Sequence, residues 1–125
     1  KNRKDFDFTY IGRASYDMPE TTIIPPMWGK ELADLLSTFD CYISGSQFDP
    51  GPNHIAEALG CELPTWVHEN GGGGVEMAGN SHVYGSPAEL ISILETGRWK
   101  EKNDTVSIPW DETIKKYFEL INDII

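Results

Sequence analysis

Residues 41–67 read CYISGSQFDPGPNHIAEALGCELPTWV, and the order of patterns in this stretch decides the fold class. It opens on a compact apolar run, Cys41, Tyr42 and Ile43, followed by the polar turn Ser44-Gly45-Ser46. After the breaker Pro50-Gly51-Pro52, the residues Ile55, Ala56, Ala58 and Leu59 recur at helical spacing until Gly60 stops them, and Pro52 suits the first turn of that helix. Leu63 to Val67 forms a second apolar run. Apolar strands bracketing a helix imply parallel pairing, because strands that run the same way need a crossover between them.

The same alternation extends in both directions. Upstream, residues 7–11 (DFTYI) and 21–24 (TTII) are aromatic and β-branched and read as strands. Pro25 and Pro26 end the second, and Leu32, Leu35, Leu36 and Phe39 then mark an amphipathic helix from Trp28 to Asp40. Downstream, residues 70–74 (NGGGG) read as a loop with exposed, mobile backbone, Val75-Glu76-Met77 as the start of a short helical turn, and residues 82–84 as a short strand. Ser86-Pro87 caps a helix carrying Leu90, Ile91 and Leu94, which Gly97 terminates. After an irregular segment over 100–109, Ile114, Tyr117, Phe118, Ile121 and Ile125 share one face of a final helix. The expected class is α/β, a Rossmann-like parallel sheet flanked by helices.

The chain has 125 residues, one domain's worth, and its 10 Lys and Arg against 20 Asp and Glu give a formal charge of −10. That balance argues against nucleic acid and anionic membrane as partners, since both are held through clustered cations. No apolar run approaches the roughly 20 residues of a membrane-spanning helix. The two cysteines, Cys41 and Cys61, lack a neighbour at metal-ligand spacing and read as buried free thiols, which suits a reducing cytoplasm. The chain opens at Lys1 without Met and runs almost directly into a strand, as a piece of a longer protein would.

Parallel α/β sheets bind ligands beyond the carboxyl ends of their strands, so three loops qualify: 12–20, 44–53 and 68–74. The middle loop leads into a helix whose unpaired N–H groups and positive dipole end suit a nucleotide diphosphate. Taken alone, Asp49 reads as an acid favoured by that dipole, Glu57 as a solvated helix residue and Ser46 as a turn residue, while Asn53 reads equally as a phosphate contact or a cap. The glycines lack the Lys-Ser/Thr of a P-loop and are as readily a flexible lid as a phosphate cradle. His68-Glu69 has no second His for an H-E-x-x-H zinc site, and Asp5-Phe6-Asp7 has a metal-nucleotide D-x-D form but precedes a strand instead of closing one. Asn103-Asp104-Thr105 is a glycosylation sequon in form. Trp66, Trp99 and Trp110 read as core before they read as stacking surfaces.

From Ser46 onward the string S-x-x-D-P-G-P-N-x-x-x-E-A-L-x-C-x-L-P, with Gly71 to Gly74 and Glu76 following, resembles the donor-site signature of retaining GT-B glycosyltransferases of the large family-4 type. That signature is an acidic pair separated by seven residues, then E-A-(M/L)-x-C-G-x-P and a later glycine pair with Glu. The likeness covers roughly residues 8–94. Asp49 replaces the usual Glu, one methylene shorter, and Glu62 stands where the family usually has Gly. The resemblance implies the C-terminal, nucleotide-sugar-binding half of a GT-B fold, taking a UDP- or GDP-sugar and transferring the sugar with retention. It implies that Glu57 accepts hydrogen bonds from ribose, that Asp49 holds hydroxyls of the transferred sugar, and that Ser46, Gly51, Pro52, Asn53, His54, Gly71 and Gly72 line the donor. It implies no catalytic metal or other cofactor, and an N-terminal acceptor domain together with an upstream Arg- and Lys-bearing strand on other sequence. An epimerase of the same fold and a stand-alone, non-catalytic nucleotide- or sugar-binding module are the alternatives.

Overall fold

β-branched and aromatic runs become strands, and the helices between them form where apolar spacing predicts, in a computed structural model that describes residues 5–104 and 110–124. Backbone contacts divide the chain into two units, one up to Thr38 and one from Phe39.

In the first unit, β1 (Phe8–Ile11) and β2 (Thr21–Ile24) pair in parallel, Phe8 opposite Thr21 through Ile11 opposite Ile24. Their connection, residues 12–20, contains no helix. Helix α1 (Gly29–Leu36) buries Leu32 and Leu36 and carries an exposed Lys30–Asp34 pair one turn apart at 2.6 Å. It is shorter than the sequence pattern suggests at both ends. Trp28 lies outside as an extended N-cap, 75% exposed. At the other end the hydroxyls of Ser37 and Thr38 donate to the carbonyls of Ala33 and Leu35, at 2.8 and 2.7 Å, and close the last turn before Phe39.

In the second unit, β3 (Tyr42–Ser44), β4 (Thr65–His68) and β5 (Val83–Tyr84) form a parallel sheet in that order. Helices α2 (Asn53–Gly60), α3 (Gly73–Ala78) and α4 (Pro87–Glu95) follow the three strands in turn. Alternation along β4 builds a core on each face. Val67 packs with Ile55 of α2 and Ala78 of α3 on one side. Trp66 packs with Tyr84 and with Ile93 of α4 on the other. The single sheet expected from the sequence is therefore corrected to two small ones, because β1 and β2 pair with each other and the three-stranded sheet closes on its own helices.

Several boundaries follow local chemistry. Ser86 Oγ accepts from the N–H of Glu89 at 3.2 Å and caps α4, while Gly97, at φ +80°, follows its end in the left-handed conformation. Arg98–Lys100 after it makes a 3-10 turn, and the segment expected to be irregular from 100 onward docks through the carbonyl of Glu101 to His82 Nε2, through Lys102 Nζ to the carbonyl of Glu62, and through Asn103. Asn103 Oδ1 accepts from the N–H of Thr65, and its Nδ2 donates to the carbonyls of Thr65 and Ala78, all at 2.8–2.9 Å. Val67 and His68 pair with β5 but Thr65 lies short of it, so Asn103 supplies the missing strand contact. An amide used in this way is not a free sequon. Helix α5 (Trp110–Ile124) forms as expected, yet Ile114, Tyr117, Phe118 and Ile121 on its apolar face are 48–63% exposed. Ile125 and residues 105–109 lie outside the described residues, as does the side chain of Trp110. Among the described residues no helix is long and apolar enough to cross a membrane.

Candidate functional site

The carboxyl ends of β3 and β4 are neighbours because the strands pair in parallel, and their exit loops are tied together by backbone. The N–H of Phe48 donates to the carbonyl of Asn70 at 2.7 Å, Asp49 bridges Gly72, and the N–H of Gly73 donates to the carbonyl of Asp49 at 2.9 Å. The aspartate loop and the glycine loop thus form one surface leading into α2 and α3.

The glycines are needed for that approach. A Cβ on Gly72, whose φ is +69°, would lie 2.6 Å from the carbonyl oxygen of Asp49. One on Gly73 would collide with the carbonyl of Pro50, and one on Gly74 would lie 2.6 Å from Cδ1 of Ile55. Gly71 and Gly74 are buried. The expectation of an exposed glycine loop holds at Gly72 and is corrected at Gly71 and Gly74, which are buried: Gly73 and Gly74 already belong to α3, and the run serves close backbone packing.

Asp49 is half-buried, and its Oδ1 accepts from the N–H of Gly51 at 3.0 Å, fixing the Pro-Gly-Pro turn. Its other oxygen has no partner among the described residues and is available to a hydroxyl donor. Pro52 is the N-cap of α2, with φ −72° and ψ 102°, not a first-turn residue, so Asn53 is the first helical residue and caps nothing. Asn53 and Gly51 are exposed. Glu57 is exposed on α2, and its carboxylate has no partner among the described residues.

His54 connects the helix to the end of β3. Its Nε2 lies 3.1 Å from Oγ of buried Ser44 and 3.4 Å from Oγ of Ser46. Ser44 Oγ accepts from the N–H of Ser46 at 3.3 Å, and the carbonyl of Ser44 accepts from the hydroxyl of Tyr84 at 2.8 Å. Burial raises the Tyr84 pKa, so this bond is held by a neutral phenol. Nδ1 of His54 has no carboxylate partner among the described residues, so Ser46 and His54 lack the third group that orients a nucleophilic pair. The arrangement offers hydroxyls, carboxylate oxygens and helix N–H groups. Such groups can exchange hydrogen bonds with a hydroxyl-bearing ligand.

Ser46, Asp49, Gly51, Pro52, Asn53, His54, Gly71 and Gly72 all fall on these two loops or the first turn of α2, and Glu57 lies further along the same helix. The remaining candidates have other surroundings. His68 Nδ1 accepts from the N–H of Asn70 at 3.0 Å, and its ring meets Tyr84 edge-on at 5.6 Å. Trp66 is fully buried in a cluster with Tyr84 and Ile93, against which Trp99 packs, and burial removes Trp66 from any stacking role. No group of three or more His, Cys, Asp or Glu among the described residues could hold a metal. Cys41 and Cys61 form no disulfide and are half-buried, and burial, with a smaller contribution from Asp40, pushes the Cys41 thiol up to about 12. Two roles here escaped the sequence reading. Asn103 stood out only as a sequon, since tertiary contact alone reveals its part at the strand edge, whereas Phe48 was visible as the one aromatic in a polar loop. No protein-family model, curated protein or solved structure matches this chain.

Proposed function

We propose that this chain is the donor-binding half of a GT-B glycosyltransferase, a Rossmann-like domain that takes a UDP- or GDP-sugar for transfer with retention to an acceptor held elsewhere. The observation that carries the reading is the Asp49–Gly72 bridge. It joins the loop of the acidic pair to the glycine loop, at the carboxyl ends of adjacent parallel strands, where ligands of such sheets bind. In this reading Asp49 accepts hydroxyls of the sugar and Glu57 those of ribose, while the amides of Asn53 and its neighbours at the start of α2 face the diphosphate. Ser46, held by His54, and the backbone of Gly71 and Gly72 complete the rim.

Neither loop contains Lys or Arg. Neutralising a diphosphate therefore falls to cations outside them, and transfer needs an acceptor positioned against the donor. Binding by this chain alone is accordingly weak, around millimolar, and turnover is absent. Chemical-shift mapping with UDP and GDP tests the assignment. Perturbations are expected at 45–57 and 71–74. A footprint centred on α5 with those loops silent rejects it, as does robust turnover by the isolated chain.

A further inference from the structure

Phe48 sits at the centre of the joined loops in an arrangement the protein's own stability does not explain. Its φ is +58°, in the left-handed region that bulky residues rarely occupy and that Gly or Asn would fill at lower cost. Its side chain is 80% exposed, so burial offers no compensation. The loop nevertheless fixes it, through the 2.7 Å bond from its own N–H to Asn70 and through the pairing of Asp49 with Gly72 and Gly73. An aromatic ring is thus presented to solvent on a rigid backbone, next in sequence to a half-buried carboxylate with one free oxygen. An exposed aromatic ring one residue along the chain from a hydroxyl acceptor offers the two chemistries a pyranose ring presents, an apolar C–H face and an equatorial rim of hydroxyls.

We infer that Phe48 is the stacking platform of a pyranose subsite: its ring covers the C–H face of a hexose while Asp49 accepts the hydroxyls at its edge. This deepens the proposed donor site and rests on that reading for the identity of the sugar's carrier. The ring supplies area with only two side-chain torsions to order, on a backbone already held by the Asn70 bond. Strain that a purely structural residue would shed is retained where a ligand uses the side chain.

Saturation-transfer NMR on the full chain tests this with UDP, GDP, UDP-glucose, GDP-mannose and the methyl glucoside and mannoside as probes. In the unsubstituted protein, saturating the aromatic resonances is expected to reach the pyranose C–H protons. Phe48→Asn, which suits the left-handed backbone, should melt at the same or a higher temperature yet bind both sugar nucleotides about three- to tenfold more weakly, with UDP and GDP unaffected. Phe48→Trp should keep the sugar contact. Unchanged pyranose contact and affinity in Phe48→Asn overturn the inference, and so does an equal loss for UDP and GDP, which would report a general change in the loop. Should UDP and GDP leave both loops silent while the methyl glycosides still contact Phe48 and lose that contact in Phe48→Asn, the nucleotide reading falls and the stacking role stands. No transfer to any pyranose probe in the unsubstituted protein ends the stacking role whatever the nucleotides do.

Discussion

Phe8, Tyr10 and Ile23 of the β1–β2 pair are 40%, 39% and 43% exposed, whereas Trp66 and Val67 of β4 are fully buried. Both sheets are parallel, both are short, and both are built from aromatic and β-branched residues. What separates them is cover. β4 lies between β3 and β5 with α2 and α3 on one face and α4 on the other, while among the described residues of the first unit β1 and β2 pair only with each other and one helix, α1, follows them. Strand composition therefore encodes pairing, and the helices that follow each strand encode burial.

The largest test of this difference is a matched truncation. Trp66→Ala is expected to lose about 3–5 kcal/mol of stability and Phe8→Ala less than about 1 kcal/mol, read from urea unfolding. Equal losses would erase the distinction between the sheets. Asn103→Ala comes next, at about 1–3 kcal/mol, because it strands the N–H of Thr65 and two carbonyls. Its cost is measured in the same titrations, and a value near zero would mean that the edge of β4 needs no substitute partner.

A third pair of variants asks whether glycine packing distinguishes the two loops of the site. Gly73→Ala should cost about 1–3 kcal/mol by forcing the Asp49–Pro50 backbone away, whereas Gly51→Ala, which meets nothing within 4 Å, should stay within about 0.5 kcal/mol. Thermal melts decide it.

These predictions follow the line between what the sequence disclosed and what it did not. The strand–loop–helix order over 41–67 was legible because each element announces itself locally, through apolar runs, Pro-Gly-Pro and a stopping Gly60. The helix starts were less so. Pro52 serves equally at the N-cap and in the first turn, and the glycine run reads as a loop until the carbonyls of Asp49 and Pro50 are seen pressed against it. The separation into two sheets depends on which strands meet, a non-local property that strand pattern does not contain. The acidic pair was legible as spacing, while the unusual backbone of Phe48 was not, since nothing in Gln47-Phe48-Asp49 demands a positive φ.

Smaller effects are expected from the acidic pair itself, and they separate binding from folding. On the proposed transferase reading, assayed in a protein that carries the transfer activity, Glu57→Gln should raise the donor KM about tenfold, or roughly 1.4 kcal/mol, and Asp49→Asn should lower kcat more than donor affinity. Both should melt with the unsubstituted protein, since Glu57 is exposed and Asn retains the oxygen that accepts from Gly51. Unchanged kinetics in both folded variants would return the pair to solvated charge.

A further effect is one of pH, confined to the alkaline range. Burial raises the Cys41 thiol from 9.0 to about 12, so the folded chain holds this proton where the unfolded chain releases it. Its contribution is complete below pH 9.0 and is lost as the pH climbs towards 12, and Tyr84, also raised by burial, acts in the same direction above its ordinary 10.0. Urea midpoints across this alkaline range should fall less steeply in Cys41→Ala. Parallel curves would show that the thiol does not contribute.

Asn103 makes the fold vulnerable to slow chemistry. Its Nδ2 donates to the carbonyls of Thr65 and Ala78, so hydrolysis of that one amide to a carboxylate would set negative charge against two carbonyl oxygens at the edge of the central strand. No heavy atom need be added or lost elsewhere for the contact to change sign. Asn103→Asp reproduces that aged state, and it should destabilise more than Asn103→Ala, because alanine leaves the carbonyls merely unpaired whereas aspartate repels them. Deamidation at this position would thus loosen the edge of β4 while Lys102 still donates to the carbonyl of Glu62 and His82 Nε2 to that of Glu101, so ageing would act on the strand edge before the segment as a whole.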